Sequence, residues 1–386
     1  MSRVFGAIFI GLFIFLYCML NYYIGRRGWQ ALSCLKPLLN SKAYWVVFWV
    51  LALSYLAGRL GQGFLLQGID YWLTLAGAYW LAAMVYFALI LAFIDLVRLL
   101  DKWLGFIPAQ VKQHPLIIPV AGLTVLTLVL GIMVYGAWNA RHPIINRYNL
   151  TIAKKAGSLR QLHVVMVSDV HLGEIIHNGR LINMVKMINE QNPDLILLPG
   201  DIIDENIGPF VDQNMSKTLR QLKSKYGVYA VPGNHDNNAE AFRYLQESGI
   251  RVLMDSYVKI ADSIWLVGRN DPGHRGEPRS GQPVRKLADV LQGVDKSLPI
   301  IEMNHQPTQF EEARENGVDL QLSGHTHRGQ LFPFGLITAR MYEIDWGLLR
   351  KGSFQVIVSS GYGTWGPPVR VGNFPEIVDI TVKFAE

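Results

Sequence analysis

The hydrophobic pattern of this 386-residue chain changes once, near residue 140. Before that point apolar residues come in long runs: Val4–Ile24, Ala43–Gly58, Tyr71–Ile94 and Leu116–Ala140 contain no Asp, Glu, Lys or Arg. A helix needs about 20 such residues to cross roughly 30 Å of hydrocarbon. The second run is short, but Lys42 and Arg59 bracket it, and their long side chains can reach the interface. Trp45, Trp72, Trp103 and Trp138 fall near run ends, where an aromatic belt is expected. The first run is too long for a cleaved signal, and no A-x-A-like site follows it. The pattern therefore predicts a membrane anchor over residues 1–140 with four spans, at 4–24, 43–62, 71–94 and 116–140.

Residues 141–160 are polar and basic without periodicity, and read as a linker. From 161 to 386 the pattern is that of an independent domain. Short β-rich runs occur at Leu162–Val167, Asp194–Leu198, Val228–Val231, Ile264–Val267, Pro299–Met303, Leu320–Leu322 and Gln355–Val358. Leu181, Met184, Val185 and Ile188 have helical spacing and share one face. Met215–Lys225 and Ala239–Glu247 read as helices, the latter closed by Gly249. Strands alternating with helices, then mostly strands, predict an α/β sandwich with the sheets inside.

Charge divides at the same place. Residues 1–150 hold 11 Lys/Arg against 3 Asp/Glu, whereas 151–386 hold 25 against 27. The second part has no basic surplus for nucleic acid. The only cysteines, Cys18 and Cys34, form neither a metal nor a disulfide framework. Arg26, Arg27, Lys36 and Lys42 lie between the first two spans, and Arg98, Lys102 and Lys112 between the last two. The positive-inside rule puts both loops in the cytoplasm and the domain outside, although Arg141, Arg147, Lys154 and Lys155 pull the other way.

The chemistry lies in five runs, each following an apolar segment: SDVH (Ser168–His171), GDIID (Gly200–Asp204), GNHD (Gly233–Asp236), NHQP (Asn304–Pro307) and SGHTH (Ser323–His327). One GNH or HxH is usually a polar turn; five at strand ends, where such folds bind ligands, are not an accident. Asp169, His171, Asp201, Asn234, His305, His325 and His327 are too many ligands for one metal and suit two sharing a carboxylate. Two such ions would keep a positive surplus for an anionic substrate and lower the pKa of a bridging water towards about 7, giving an attacking hydroxide. Ser168 and Ser323 lack an evident base, and no Walker-type loop occurs.

The series D-x-H, G-D-x-x-D, G-N-H-[DE], H and G-H-x-H resembles the calcineurin-like metallophosphoesterase superfamily, from about Leu162 to the C-terminus. SGHTHRGQ (Ser323–Gln330) and FPEIVDI (Phe374–Ile380) are similar to its membrane-associated bacterial branch, which usually has Gly where Arg328 stands. The resemblance implies a four-layer α/β/β/α sandwich and two divalent ions per chain, with Mn, Fe or Zn expected. It implies one metal on Asp169, His171, Asp201 and His327, and a second on Asp201, Asn234, His305 and His325, with Asp201 bridging. His235 would contact the phosphate and protonate the leaving oxygen, and Asp236 would orient it. Asp204 matches a structural position; Arg328 and Arg370 are candidate substrate contacts, each with solvent or packing as the bland alternative.

The expectation is thus a multi-pass, membrane-anchored, dinuclear metal-dependent phosphoesterase with an extracytoplasmic catalytic domain. Its partners would be the bilayer and a phosphomonoester or phosphodiester, lipid-linked because of the anchor. The alternatives are a non-catalytic sensor of a phosphorylated ligand and, with less support, a nuclease.

Overall fold

The computed structural model describes residues 2–32, 39–61, 64, 68–204, 206–236, 239–273 and 283–386, the side chains of 2–7, 9 and 239 excepted. It divides into two compact units, Met1–Gly136 and Ala137–Glu386.

The first unit is helical: α1 (Ser2–Ala31), α2 (Ser41–Leu60), α3 (Ile69–Leu104), the short α4 (Ala109–Gln113) and α5 (Ile117–Asn139), whose last turn enters the second unit. Among the described residues three helices, α2, α3 and α5, are long and apolar enough to cross a membrane. The run Val4–Ile24 lies within α1. Asn40 caps α2 by accepting the amides of Lys42 and Ala43, and Gly105 ends α3 in the left-handed region. Gly77 of α3 lies so close to Tyr55 of α2 that a Cβ would strike its backbone, the small-residue contact that lets apolar helices pack. Tyr23 donates to Asp95 at 2.7 Å and Arg27 pairs with the same carboxylate. The loops after α1 and α3 therefore leave the bundle at one end.

The second unit contains two six-stranded sheets. In chain order the strands are β1 (Ile144–Lys155), β2 (Gln161–Met166), β3 (Leu195–Pro199), β4 (Val228–Val231), β5 (Ile250–Val252), β6 (Ser256–Ile260), β7 (Ile264–Gly268), β8 (Ile300–Met303), β9 (Leu320–Ser323), β10 (Gly347–Lys351), β11 (Phe354–Val358) and β12 (Glu376–Ala385). The sheets run β1-β12-β2-β3-β4-β5 and β10-β11-β9-β8-β7-β6. The helices are α6 (Asn178–Glu190), α7 (Gly208–Asp212), α8 (Met215–Leu219), α9 (Ala239–Glu247), α10 (Leu287–Val290), α11 (Phe310–Glu315) and α12 (Gly335–Met341).

The period of two along each strand builds the layers. Val164, Met166, Leu195 and Leu197 point inward and meet Leu266, Ile301, Met303 and Leu322 of the other sheet. Their neighbours Val165, Ile196 and Leu198 point outward, against Leu181, Met184 and Ile188 of α6. Val267, Ile300 and Val356 cover the far face of the second sheet with Leu287, Val290 and Phe310. The result is the four-layer α/β/β/α sandwich. Leu197 is wholly buried, so truncating it to Ala should cost about 2–5 kcal/mol.

Two elements differ from the sequence expectation. Residues 144–155, read as linker, form β1, an edge strand parallel to β12. Only Leu150 and Ile152 are buried among its alternating positions, too weak a signal beside Asn146, Arg147, Asn149 and Lys154. The helix expected over Met215–Lys225 stops at Leu219, beyond which turns lead into β4.

Candidate metal centre

Every motif residue follows a strand. Asp169 and His171 follow β2, Asp201 follows β3, Asn234 and His235 follow β4, His305 follows β8, and His325 and His327 follow β9. Because β2, β3 and β4 are mutually parallel, as are β7, β8 and β9, their carboxyl ends deliver these residues to one edge.

Backbone bonds draw the loops together: the amide of Asp169 donates to Gly200 O at 3.1 Å and that of His171 to Asp201 O at 3.0 Å. Two glycines permit the close approach. A Cβ on Gly233 would strike the Asp201 carboxylate, and one on Gly324 the Asp169 carboxylate. Asp169, His171, Asp201, His325 and His327 all hold positive φ, from 47° to 73°. That conformation costs side chains of this kind of order 1 kcal/mol each, and such strain clusters at functional sites.

The side chains converge in two groups, Asp169–His171–His327 and Asp201–His305–His325, with the ligand atoms of each group within 4.8 Å of one another. In the first, His327 Nε2 lies 3.5 Å from Asp169 Oδ1 and 3.1 Å from His171 Nε2. In the second, His305 Nε2 lies 3.2 Å from Asp201 Oδ2 and 3.0 Å from Asn234 Oδ1. His325 Nδ1 is 2.7 Å from the same Asn234 oxygen. Asp201 Oδ2 is also 3.8 Å from His171 Nε2, so one carboxylate stands between the groups.

The donor set fits a pair of divalent cations. His171 and His327 present Nε2 atoms to each other, which at most one shared proton can satisfy, and the buried His171 Nδ1 has no hydrogen-bond partner. Carboxylates, imidazoles and an amide oxygen are the mixed ligands of first-row metals.

Burial lowers the pKa of His171 and His327, keeping both imidazoles neutral, the form that binds metal. Burial raises Asp169, with Asp201 adding to the effect. Burial also acts to raise Asp201, but His305 and His171 hold it well below the usual range. His305 is raised well above its ordinary value because Asp201 and Asp169 outweigh its burial.

His235 stands beside this centre, its ring 5.2 Å from that of His171, and its amide donates to Asp201 Oδ1 at 2.8 Å. The Asp236 carboxylate accepts the amides of Ile202 at 3.1 Å, Ile203 at 3.0 Å and Gly233 at 2.8 Å. It therefore ties the β3 and β4 loops together. Burial and Asp201 raise it to about 7.

Arg328 lies over the Trp346 ring, 4.0 Å from its centroid. Arg370 is wholly buried. It donates to the carbonyls of Ser360 at 2.7 Å and Gly363 at 2.7 Å, with Nη2 3.2 Å from His327 Nδ1. It packs behind a ligand in a site that offers it no solvent. Two aromatic residues not assigned to the site from the sequence border the centre: Trp365, 5.7 Å from the His235 ring, and Tyr342, 6.1 Å from the His325 ring. Both lie in loops whose positions only the fold reveals.

The calcineurin-like phosphoesterase family model matches residues 162–329, the stretch holding all these ligands. A metallophosphoesterase of Aquifex aeolicus, described as uncharacterized, is 33% identical over 230 residues, 58% of this chain and 85% of its own. This chain belongs to the calcineurin-like metallophosphoesterases. A second relative of this metallophosphoesterase is a "transmembrane protein with metallophosphoesterase domain" of Danio rerio, 33% identical over 286 residues. That match covers 68% of this chain and 63% of the relative. An uncharacterized Helicobacter pylori metallophosphoesterase is 32% identical over 216 residues, covering 55% of this chain and 57% of the relative. The metallophosphoesterase described here thus spans less than two thirds of either of those two relatives.

Proposed function

We propose that this chain is a membrane-anchored phosphoesterase that hydrolyses a phosphomonoester or phosphodiester attached to a lipid. The observation that carries the reading is the convergence of two ligand groups on Asp201. Asp169, His171, Asp201 and His327 would hold one divalent ion, and Asp201, Asn234, His305 and His325 the other, with Mn, Fe or Zn fitting these donors. Such a pair, when bound, lowers the pKa of a coordinated water and neutralises phosphoryl oxygens.

The chain's own residues supply the rest. His235 contacts the phosphoryl group and protonates the leaving oxygen. Asp236 fixes the backbone from which Asp201 and Asn234 project, and Arg370 supports His327. Arg328, set over Trp346, reaches toward substrate from the rim. Counting α1 beside the three long apolar helices gives an anchor of four spans, which tethers the chain to lipid. The basic residues after α1 and α3 favour a cytoplasmic position for those loops and an outside position for the catalytic unit.

The test is a panel of phosphoesters, lipid phosphates included, offered to detergent-solubilised protein with each metal added back. Metal-dependent turnover of a lipid phosphate is expected. Tight binding of a phosphorylated lipid with no turnover on any ester would replace the enzyme by a sensor.

A further inference from the structure

The strand β1 follows α5 in the chain, and its register fixes where on the second unit the chain enters the sheet. Ile144 pairs with Glu376, and β12 runs antiparallel to β2, with Val378 opposite Met166. The N-terminal end of β1 therefore coincides with the carboxyl end of β2, from which Asp169 projects. The chain leaves α5 at the edge of the sheet that carries the metal ligands. Asn139, the last residue of α5 and buried, donates to Arg370 O at 3.0 Å and Asn373 O at 2.7 Å. Arg180 of α6 donates to Ala140 O at 2.7 Å. Within the second unit, Asn139 and Ala140 are thus held to the loop that supports His327 and to α6.

The same edge is apolar. The turn and helix after His327 expose Phe332, Phe334, Leu336, Ile337 and Met341, and α12 buries none of its residues. Trp365 (59% exposed) joins this rim, because Gln330 bonds both its amide and its carbonyl. Phe374 joins it from the loop that Asn139 holds, and the amide of Phe332 donates to Val371 O at 2.8 Å. Of the twelve exposed large apolar side chains described from Ala137 onward, seven lie in these segments, and Trp138 and Ile144 flank the exit itself. A soluble face does not concentrate them so. The exposed Arg141 and Arg340 supply the cations that favour an anionic lipid surface.

We propose that this rim lies in the headgroup region of the membrane that anchors the chain, with α12 as an interfacial helix. The metal centre then opens at the lipid surface. Its preferred ester is one whose apolar portion stays in the bilayer while the phosphate reaches His235 and the ligands. The choice of ester rests on the phosphoesterase reading above; the contact with lipid does not.

The test uses the full chain in nanodiscs containing anionic lipid, with Cys18→Ser and Cys34→Ser removing the native thiols. A nitroxide is attached at Ile337→Cys or, as a control on an exposed turn, at Asp262→Cys. The label at 337 should be open to dissolved oxygen and shielded from a water-soluble nickel chelate, and the label at 262 the reverse. Equal aqueous exposure at both positions overturns the proposal. So does a label at 337 shielded from both reagents, which would mean that a protein covers the rim.

In parallel, the double variant Leu336→Glu, Ile337→Glu should cut the rate on a lipid phosphate in vesicles about tenfold and leave a soluble aryl phosphate within about twofold. Equal losses on the two esters overturn the substrate preference. An unmodified chain inactive on every ester would defeat the phosphoesterase reading, while the label depths still decide the contact with lipid.

Discussion

The imidazole of His305 is held from behind by the carbonyl oxygen of Pro199, 2.9 Å from Nδ1. A carbonyl can only accept, so Nδ1 carries the proton and Nε2 faces Asp201 and Asn234. The strand β3 that ends at Pro199 thus leads into the carboxylate that stands between the two groups and supplies the carbonyl that aims its neighbour. This outer contact is a familiar tuning device for metal-ligating histidines.

The first prediction concerns Asp201 itself. It lies within reach of His171 on one side and His305 on the other. Asp201→Ala should lose both metals and essentially all turnover, which elemental analysis of the purified variant measures. Retention of close to two metals per chain would contradict the bridging role.

His235 and Asp236 should separate cleanly. General acid catalysis typically contributes about 10²–10⁴-fold. His235→Ala should lose about that much in kcat on an alkyl phosphate, lose less on an activated aryl ester, and keep its metal. Asp236→Ala leaves three buried amides of the metal loops unmatched. It should therefore lower metal content and thermal stability together, by roughly 2–5 kcal/mol in the latter. Equal losses on both esters in His235→Ala would argue for phosphate binding rather than acid catalysis.

The candidate ligands could be picked out as residues because their chemistry is local. An Asp, His or Asn directly after a short apolar run declares itself without knowledge of its partners, and the motif glycines add their own signal. The loop-tying bonds of Asp236 were not legible, since its partners Ile202 and Ile203 are amides more than thirty residues away. Those of Arg370 were not legible either, since they depend on how its own loop folds back to present the carbonyls of Ser360 and Gly363. The edge strand β1 was illegible for a related reason: its ladder is completed by β12 at the other end of the chain, and its exposed side is polar. The part of the apolar rim from Phe332 to Met341 was hidden too, because an exposed Phe or Leu has the same letter as a buried one.

The orientation of the helical unit is open to direct test. Arg27 of α1 and Asp95 of α3 meet, so the loops following α1 and α3 share a side. In the Cys18→Ser, Cys34→Ser background, Phe64→Cys in the opposite loop should react with an impermeant maleimide on intact cells. A reporter after Glu386 should behave as extracytoplasmic. Labelling at Phe64→Cys only after the inner face is opened would invert the assignment and place the catalytic unit in the cytoplasm.

Glu302 contributes to the pH dependence of stability away from the metal centre. It is buried at the end of β8 beside Arg269, whose Nη1 lies 3.3 Å away, but Arg269 also pairs with Asp255 and Glu312. Burial raises Glu302 from 4.5 to about 7, with Arg269 opposing and the other two carboxylates adding to the rise. The folded state therefore holds this proton more tightly than the unfolded chain does. The resulting stability is fully present below pH 4.5, declines as pH rises, and is gone once pH passes about 7. The full swing is up to about 3 kcal/mol. Glu302→Gln removes the titration, so its unfolding temperature should fall less than that of the unmodified chain between about pH 5 and pH 8. Parallel curves for the two proteins across that window would show that Glu302 stays ionised in the fold, held by Arg269 despite its burial.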